Sequence, residues 1–495
     1  MRIVRLVFIS ILINTACIAQ RVDNMWLQGY ANSFPIPFGG SNLDFNFGAP
    51  NIYYDSLRDM QLDFTLGLIS DSVGNLLFYS NGVWIADATN DTMQNGSGLN
   101  PSSYTTSVYN TGIRVTAADM LLPDPGNPNQ YYLIHETPGD TVYPYPDFLY
   151  YSKIDKTLNN GKGKVISKNQ VICSDTLDLG QVLACRHANG RDWWIVFPEY
   201  RSPNYYVYFL NPNGIIFHSK QSIGIRNYSS GQATFSPDGT KYASYDTYTD
   251  LEVFDFDRCT GVFSNPQNVS VNDGVVGFGV SFSPDSRIIY ASSVYWIYQF
   301  DLDKPDIADY DTVAVWDSTY SPSPPFAALF FTQYLRPDGK IYVGTGNGTQ
   351  VYHTIDYPDS SGVACNVSQH SVPLPTIHSN SCPTYINYYL GPVVGSVCDS
   401  LSVGLTEPSG VVNLNVSITP NPVINQFYLN YHLPGNKDGW LDLSDASGRI
   451  IVHRRLYWST SSLLMYTANL KPGCYFARVT SDMGITETKR LMVLK

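Results

Sequence analysis

The sequence predicts an all-β chain: a six- or seven-bladed β-propeller followed by a small Ig-like antiparallel β-sandwich. Three observations carry this. A turn-and-strand unit recurs at blade-like spacing, short strands broken by Gly, Pro, Asn and Asp fill the chain without a long helical period, and the composition changes near residue 400. The unit is clearest at Phe235-Ser236-Pro237-Asp238-Gly239-Thr240-Lys241-Tyr242. It returns at Phe282-Ser283-Pro284-Asp285-Ser286-Arg287-Ile288-Ile289 and at Leu335-Arg336-Pro337-Asp338-Gly339-Lys340-Ile341-Tyr342. Proline presets the φ of a type I turn, Asp folds its carboxylate onto the turn backbone, and Gly leaves the turn at positive φ. The Asp positions lie 47 and 53 residues apart, the length of one blade.

In chain order, residues 1–19 read as a secretory signal peptide: Arg2 and Arg5, an apolar run from Leu6 to Ile13, then small residues. Cleavage is expected after Ala19, leaving Gln20 first; a lipoprotein leader ending at Cys17 is the alternative. Residues 20–400 form the expected propeller. Weaker turn-strand units begin at Asp71, at Asp124-Pro125-Gly126-Asn127 and at Ala188-Asn189-Gly190-Arg191-Asp192. With the three clear copies they make six anchors, from 71 to 338, and so six blades. Strands near Trp26-Leu27 and Tyr388-Leu390 would complete a seventh or close the ring from both chain ends, which removes exposed sheet edges. Residues 401–416 read as a linker, and 417–495 as a second unit of short strands with tight turns at Asp445–Gly448 and Leu470–Gly473.

Charge and cysteine bound the partners. The formal charge is −12; residues 417–495 carry +4 and the first nineteen +2, leaving −18 on the stretch between. A body so acidic argues against nucleic acid or an anionic membrane as partner. The 37 tyrosines fit either a wet, hydrogen-bonding surface or a high β content. Seven cysteines follow the leader, none in CxxC spacing. Cys382 or Cys365 bonded to Cys398 are the possible pairings, and the odd count leaves at least one thiol free.

The repeats resemble those of the TolB and WD-type propellers, in which a Ser-Pro-Asp-Gly turn joins the first two strands of a blade. The body, with His187-Ala188-Asn189-Gly190-Arg191-Asp192-Trp193-Trp194, also looks like a group of uncharacterised exported propeller proteins of Bacteroidota, a likeness that carries no activity. Residues 417–495 resemble the type A C-terminal sorting domain of type IX secretion cargo. The Pro420-Asn421-Pro422 opening, the turn at Gly448, the Gly473 and Tyr475 turn-strand and the basic terminal strand with Lys489 and Arg490 match it in order; Cys474 departs from it. The resemblance implies an address: an outer-membrane translocon as partner, a sortase that removes the domain, and a body secreted or joined to the outer-membrane surface. Asp-Ser/Thr-aliphatic triplets, as at Asp55-Ser56-Leu57 and Asp311-Thr312-Val313, resemble the O-glycosylation sequon of the same bacteria and equally fit turn-to-strand chemistry.

No catalytic constellation emerges. The histidines lack metal-ligand or i, i+4 spacing, and Gly344-Thr345-Gly346-Asn347-Gly348 precedes a strand rather than a helix, so it is no phosphate loop. No cofactor is expected, although Asp255/Asp257 and Asp301/Asp303 offer alternate hard oxygens of the kind calcium takes. The expected role is a non-enzymatic surface or secreted binding module for polysaccharide or another exported protein, with Trp193, Trp194, Trp296 or Trp316 stacking on sugar faces. The alternative is a hydrolase or lyase acting on extracellular polysaccharide; carboxylates clustered with an Arg at the central channel would favour it.

Overall fold

The computed structural model describes residues 21–494 except 140–144, 226–230, 322–324, 379, 400–413, 435–436, 446–447, 458–461, 469 and 483–485. The expected signal peptide, residues 1–19, and its expected cleavage point at Ala19 and Gln20 lie outside the described residues. The chain divides after Leu401 into two compact units.

The first unit is a ring of seven blades in chain order. Blades 2 to 7 each have four antiparallel strands. Their inner strands are Thr65–Ser70, Asp119–Pro123, Leu183–Arg186, Gly231–Phe235, Gly279–Phe282 and Gln333–Leu335. The six sequence anchors are the turns joining first and second strands in these six blades. In blade 5 the Asp238 carboxylate accepts from the Thr240 N–H at 2.9 Å and the Ser236 hydroxyl at 2.5 Å, while Gly239 has φ +72°. Blade 6 repeats this with Asp285, but Ser286 takes the left-handed φ of +65° that glycine holds elsewhere. Blade 7 departs: Arg336 replaces the serine, and the Tyr342 hydroxyl bonds Asp338 at 2.8 Å instead.

Blade 1 is a three-stranded sheet of Met25–Gly29, Gly40–Asp44 and Asn51–Asp55 and has no such turn. The segment after blade 7 enters between blades 1 and 2. Its strand Cys382–Pro383 lies parallel to the inner strand of blade 2, and the Ser381 hydroxyl bonds Gln28 at 2.7 Å. The expected strand at Tyr388-Leu390 does not form. Those residues lie beyond the closing strand, where the Tyr388 hydroxyl donates to the Leu121 carbonyl at 2.7 Å.

Blades pack through aromatic rings. Trp26 of blade 1 is fully buried against Tyr334 and Tyr352 of blade 7, with centroids 5.2 and 4.9 Å away. Tyr205 of blade 4 meets Tyr242 and Phe254 of blade 5, both at 5.6 Å. Each buried ring stabilises by about 2 kcal/mol, so many of the tyrosines serve blade interfaces rather than a wet surface. Among the inner strands, the Gln232 side chain accepts from the Val280 and Gln333 N–H groups at 3.2 and 2.9 Å and donates to the Gln333 carbonyl at 2.7 Å, tying blades 5, 6 and 7.

The chain then crosses the face that carries the motif turns and is fastened there. Asn387 donates to the Pro237 carbonyl at 2.6 Å, Arg186 to Tyr388 at 2.8 Å and Arg258 to Gly391 at 2.7 Å. Cys398 is bonded to Cys259, in the turn after the third strand of blade 5. This overturns both pairings considered from sequence: Cys382 belongs to the closing strand inside the ring, and Cys365 is a buried free thiol.

The second unit is a sandwich. Asn415–Thr419, Gln426–His432 and Ser462–Tyr466 form one sheet; Ile450–Leu456, Gly439–Asp445, Gly473–Ser481 and Thr486–Val493 form the other. Phe427, Leu429, Leu441, Leu443, Val479 and Leu491 fill the core. Two expectations are corrected here. Asn415 and Val416, assigned to the linker, begin the first strand because Val416 alternates into the core, and Ser462–Tyr466 is a strand not read from sequence.

Replacing Cys259 and Cys398 by Ser is expected to lower the melting temperature of the exported chain by roughly 5 °C or more, because chain entropy assigns about 5 kcal/mol to so long a loop. Calorimetry with and without reductant measures this; an unchanged transition would remove the disulfide from ring closure.

Candidate functional sites: the channel mouth and the terminal sandwich

Pro237, Pro284 and Pro337 converge on one mouth of the central channel, where they line a pocket of about 500 Å³. Gly339 also lines it, while Asp238, Gly239, Asp285 and Asp338 shape the turns behind the prolines. The remaining wall comes from both chain ends: Asp23 and Phe45 from blade 1, and Tyr385, Asn387 and Tyr389 from the segment after the closing strand. Arg336 stands at the base, 8% exposed, with its guanidinium 5.3 Å from the Trp26 ring and 4.9 Å from that of Phe45. It donates to the Asp23 carbonyl at 2.6 Å. The Tyr389 hydroxyl donates to the Asp23 carboxylate. Burial pushes the Asp23 carboxyl above its ordinary range, against the lowering pull of Arg336 and Tyr389.

None of these wall residues was assigned a role from sequence. One signal was present, since Arg336 replaces the motif serine of the other two clear copies. The opposite mouth holds a pocket of about 240 Å³ lined by Phe64, Phe278, Phe331 and Arg114 among others.

The tryptophans proposed for sugar stacking divide. Trp193 and Trp194 lie at 0% and 2% exposure, on a blade 4 strand covered on both sides, so neither reaches a ligand. Trp296 and Trp316 are half-buried beside Tyr295, with centroids 5.7 Å away in each case, on the face opposite the motif turns. The carboxylates weighed for calcium are already engaged. Asp255 pairs with Lys241, Asp257 accepts from the Cys259 N–H at 2.8 Å, and Asp301 pairs with Arg287 at 2.5 Å while accepting from the Asp303 N–H at 3.0 Å. No cluster of three metal-ligating side chains occurs among the described residues. The hydroxyls of the triplets at Ser56, Ser72, Thr92, Thr176 and Thr312 are on exposed residues.

Asp119 and Glu252 are two of the acids buried in the ring. Asp119 faces the backbone of blade 2, where a Cβ on Gly67 would come within 2.8 Å of its carboxylate. Burial pushes its carboxyl up to about 8, partly offset by the Ser80 hydroxyl and Gly82 N–H, and pushes Glu252 up to about 7. Folding favours their protonated forms, so their contribution is full below the ordinary carboxyl range and is lost as pH rises through about 7 and 8. The buried imidazoles of His135 and His353, pushed down to about 3, oppose this below their ordinary range. Melting temperature is therefore expected to rise from pH 8.5 to about pH 6.5, and Asp119→Asn to flatten that limb in a thermal-shift series. An alkaline limb just as steep in the variant would contradict the assignment.

In the sandwich the motif residues are spread over the sheet that holds the terminal strand and the turns beside it. Asn421, between Pro420 and Pro422, donates to the Arg490 carbonyl at 2.7 Å and accepts from the Met492 N–H at 2.9 Å, joining the opening motif to the basic terminal strand of Lys489 and Arg490. Tyr475 is buried, its hydroxyl bonded to the Lys471 carbonyl at 2.8 Å; Gly448 and Gly473 hold φ of +85° and +152° at the two turns.

Ring and tag together define an all-β propeller that carries its own autonomous C-terminal module. Residues 417–494 match the family of secretion system C-terminal sorting domains. The module is thus the address of type IX export, and the protein is delivered to the cell surface or the extracellular space. No helix among the described residues is long and apolar enough to cross a membrane. No curated protein matches the chain. Among solved structures it is similar to a putative 6-phosphogluconolactonase from Bacteroides fragilis, at 10% identity and TM-score 0.44 over 72% of this chain and 97% of that one. A protein from Lactobacillus plantarum matches at 12% identity and TM-score 0.41, over 72% and 98%. Neither likeness transfers an activity.

Asn421→Ala is expected to destabilise the sandwich by about 1–2 kcal/mol through loss of both bonds to the terminal strand, and to lower the exported fraction in a secretion assay. A chain lacking residues 414–495 should stay inside the outer membrane; normal appearance in the medium would contradict the address.

Proposed function

We propose that the propeller is a non-enzymatic binding module, displayed outside the cell, that takes a saccharide segment of a surface or extracellular polymer at the motif-turn mouth. The observation that carries this reading is the pocket wall itself. The Tyr385 and Tyr389 rings offer apolar faces, and Asn387, Asp23 and Arg336 offer polar groups, around a volume suited to one or two sugar rings.

Binding is favoured over cleavage because Asp23 is the one carboxylate among the residues lining the pocket, and its carboxyl is held by Tyr389. Glycoside hydrolysis ordinarily needs a pair of carboxyl groups, about 5 to 10 Å apart. The type IX machinery, translocon and sortase, is the partner of the tag rather than of this pocket.

A glycan array run with the exported chain beside a reducing-sugar release assay tests the reading. Binding without release is expected, with Tyr389→Ala reducing the array signal on the order of tenfold through the lost ring contact. Sugar release that persists in Tyr389→Ala would favour a hydrolase elsewhere on the ring.

A further inference from the structure

The buried guanidiniums on this face differ in how many of their donors the fold consumes. Arg258 gives its donors to three carbonyls, of Arg186, His187 and Gly391, and Arg186 gives two, to Arg191 and Tyr388. Arg336 spends one bond, on the Asp23 carbonyl, and is the one of the three that lines the pocket. Its Nε has no hydrogen-bond partner among the described residues. No carboxylate forms an ion pair with it there, although it is more than nine-tenths buried and remains a cation at neutral pH. Asp23 and Asp338 attract the charge from beyond ion-pair distance and leave its Nε without a partner; an anionic group arriving from the pocket would supply that partner.

Arg21 stands at the same pocket, partly exposed and without an ion pair among the described residues. The carboxylates acting on Arg336 are Asp23 and Asp338, and burial disfavours the charge of both. A locally cationic floor in a body carrying −18 is not what composition alone would place there.

We propose that the ligand of this pocket is an acidic saccharide, a hexuronate unit whose carboxylate meets the free donors of Arg336 while its ring lies against Tyr385 or Tyr389. This rests on the saccharide-binding reading above and narrows it. The planar guanidinium fork matches a carboxylate in two parallel bonds, which a neutral hydroxymethyl group cannot reproduce. Arg21 at the rim would add to the attraction without contact, and salt would screen that part.

The experiment is calorimetric titration of the exported chain with oligogalacturonate, oligoguluronate and oligoglucuronate trimers, each beside its carboxyl-reduced neutral counterpart. At least one acidic trimer is expected to bind on the order of tenfold more tightly than its counterpart, with the gap lost in Arg336→Gln and narrowed by Arg21→Ala or by 0.5 M NaCl. Arg336→Gln risks misfolding, so its melting temperature is measured first; Arg21→Ala and the salt series carry the test if it unfolds. Acidic and neutral trimers that bind equally, and lose affinity together in Tyr389→Ala, would overturn the acidic specificity and leave the saccharide pocket standing. No trimer binding, or binding indifferent to Tyr389→Ala, would overturn both. Tighter binding of a tripeptide with a free carboxylate than of any uronate would overturn the saccharide class in favour of a peptide terminus.

Discussion

A ring of sheets needs its two ends to meet, and here they meet without a shared sheet turn. The segment after blade 7 pairs with the inner strand of blade 2 and bonds through Ser381 to blade 1, whose three strands come from the first part of the chain. Main-chain pairing in so short a closing strand is limited, and the fold adds other fasteners. Arg336 holds the carbonyl of Asp23 at the chain's beginning, while Arg186 and Arg258 hold those of Tyr388 and Gly391 near its end. A disulfide from Cys398 to blade 5 completes the strap. Guanidiniums suit this task because their charge-assisted bonds reach main-chain carbonyls that no sheet partner satisfies.

Closure and the candidate site are one piece of architecture. The pocket exists where the two chain ends cross the channel mouth. Asp23 comes from one end, Tyr385 and Tyr389 from the other, and Arg336 and the prolines from the blades between. Rigidity follows from the same fact: the wall residues belong to segments already pinned by guanidinium clamps and the closing strand, so a ligand meets a pre-formed surface rather than a loop it must order.

The strap also gives the export route physical sense. Cys398 is fixed to blade 5 shortly before the residues that lead to the sorting module. Events at that module therefore act beyond the last covalent fastener of the ring. A closed propeller cannot be threaded through a narrow pore without unfolding, so a separate, autonomously folding tag read by a wide translocon is the consistent arrangement. The sandwich supplies its own core of Phe427, Leu441, Leu443 and Leu491 for that purpose.

Local chemistry was legible wherever one short stretch determines its own conformation. The Pro-Asp-Gly turns, the sequence of blades they mark and most strands of the sorting module follow from turn and alternation rules that act over four to eight residues. Ring closure escaped a full reading because the closing strand and the blade 2 strand it pairs with are more than 300 residues apart and share no turn. The Cys259 partner of Cys398, the burial of Trp193 and Trp194 and the position of Arg336 were likewise not written locally. Each depends on which blade comes to lie against which, and on where the two ends of the chain meet. Sequence by itself determined the repeating unit and the export address; tertiary structure alone decided how the ring closes and which side chains surround its mouth, because long-range contacts leave no periodic trace in the chain.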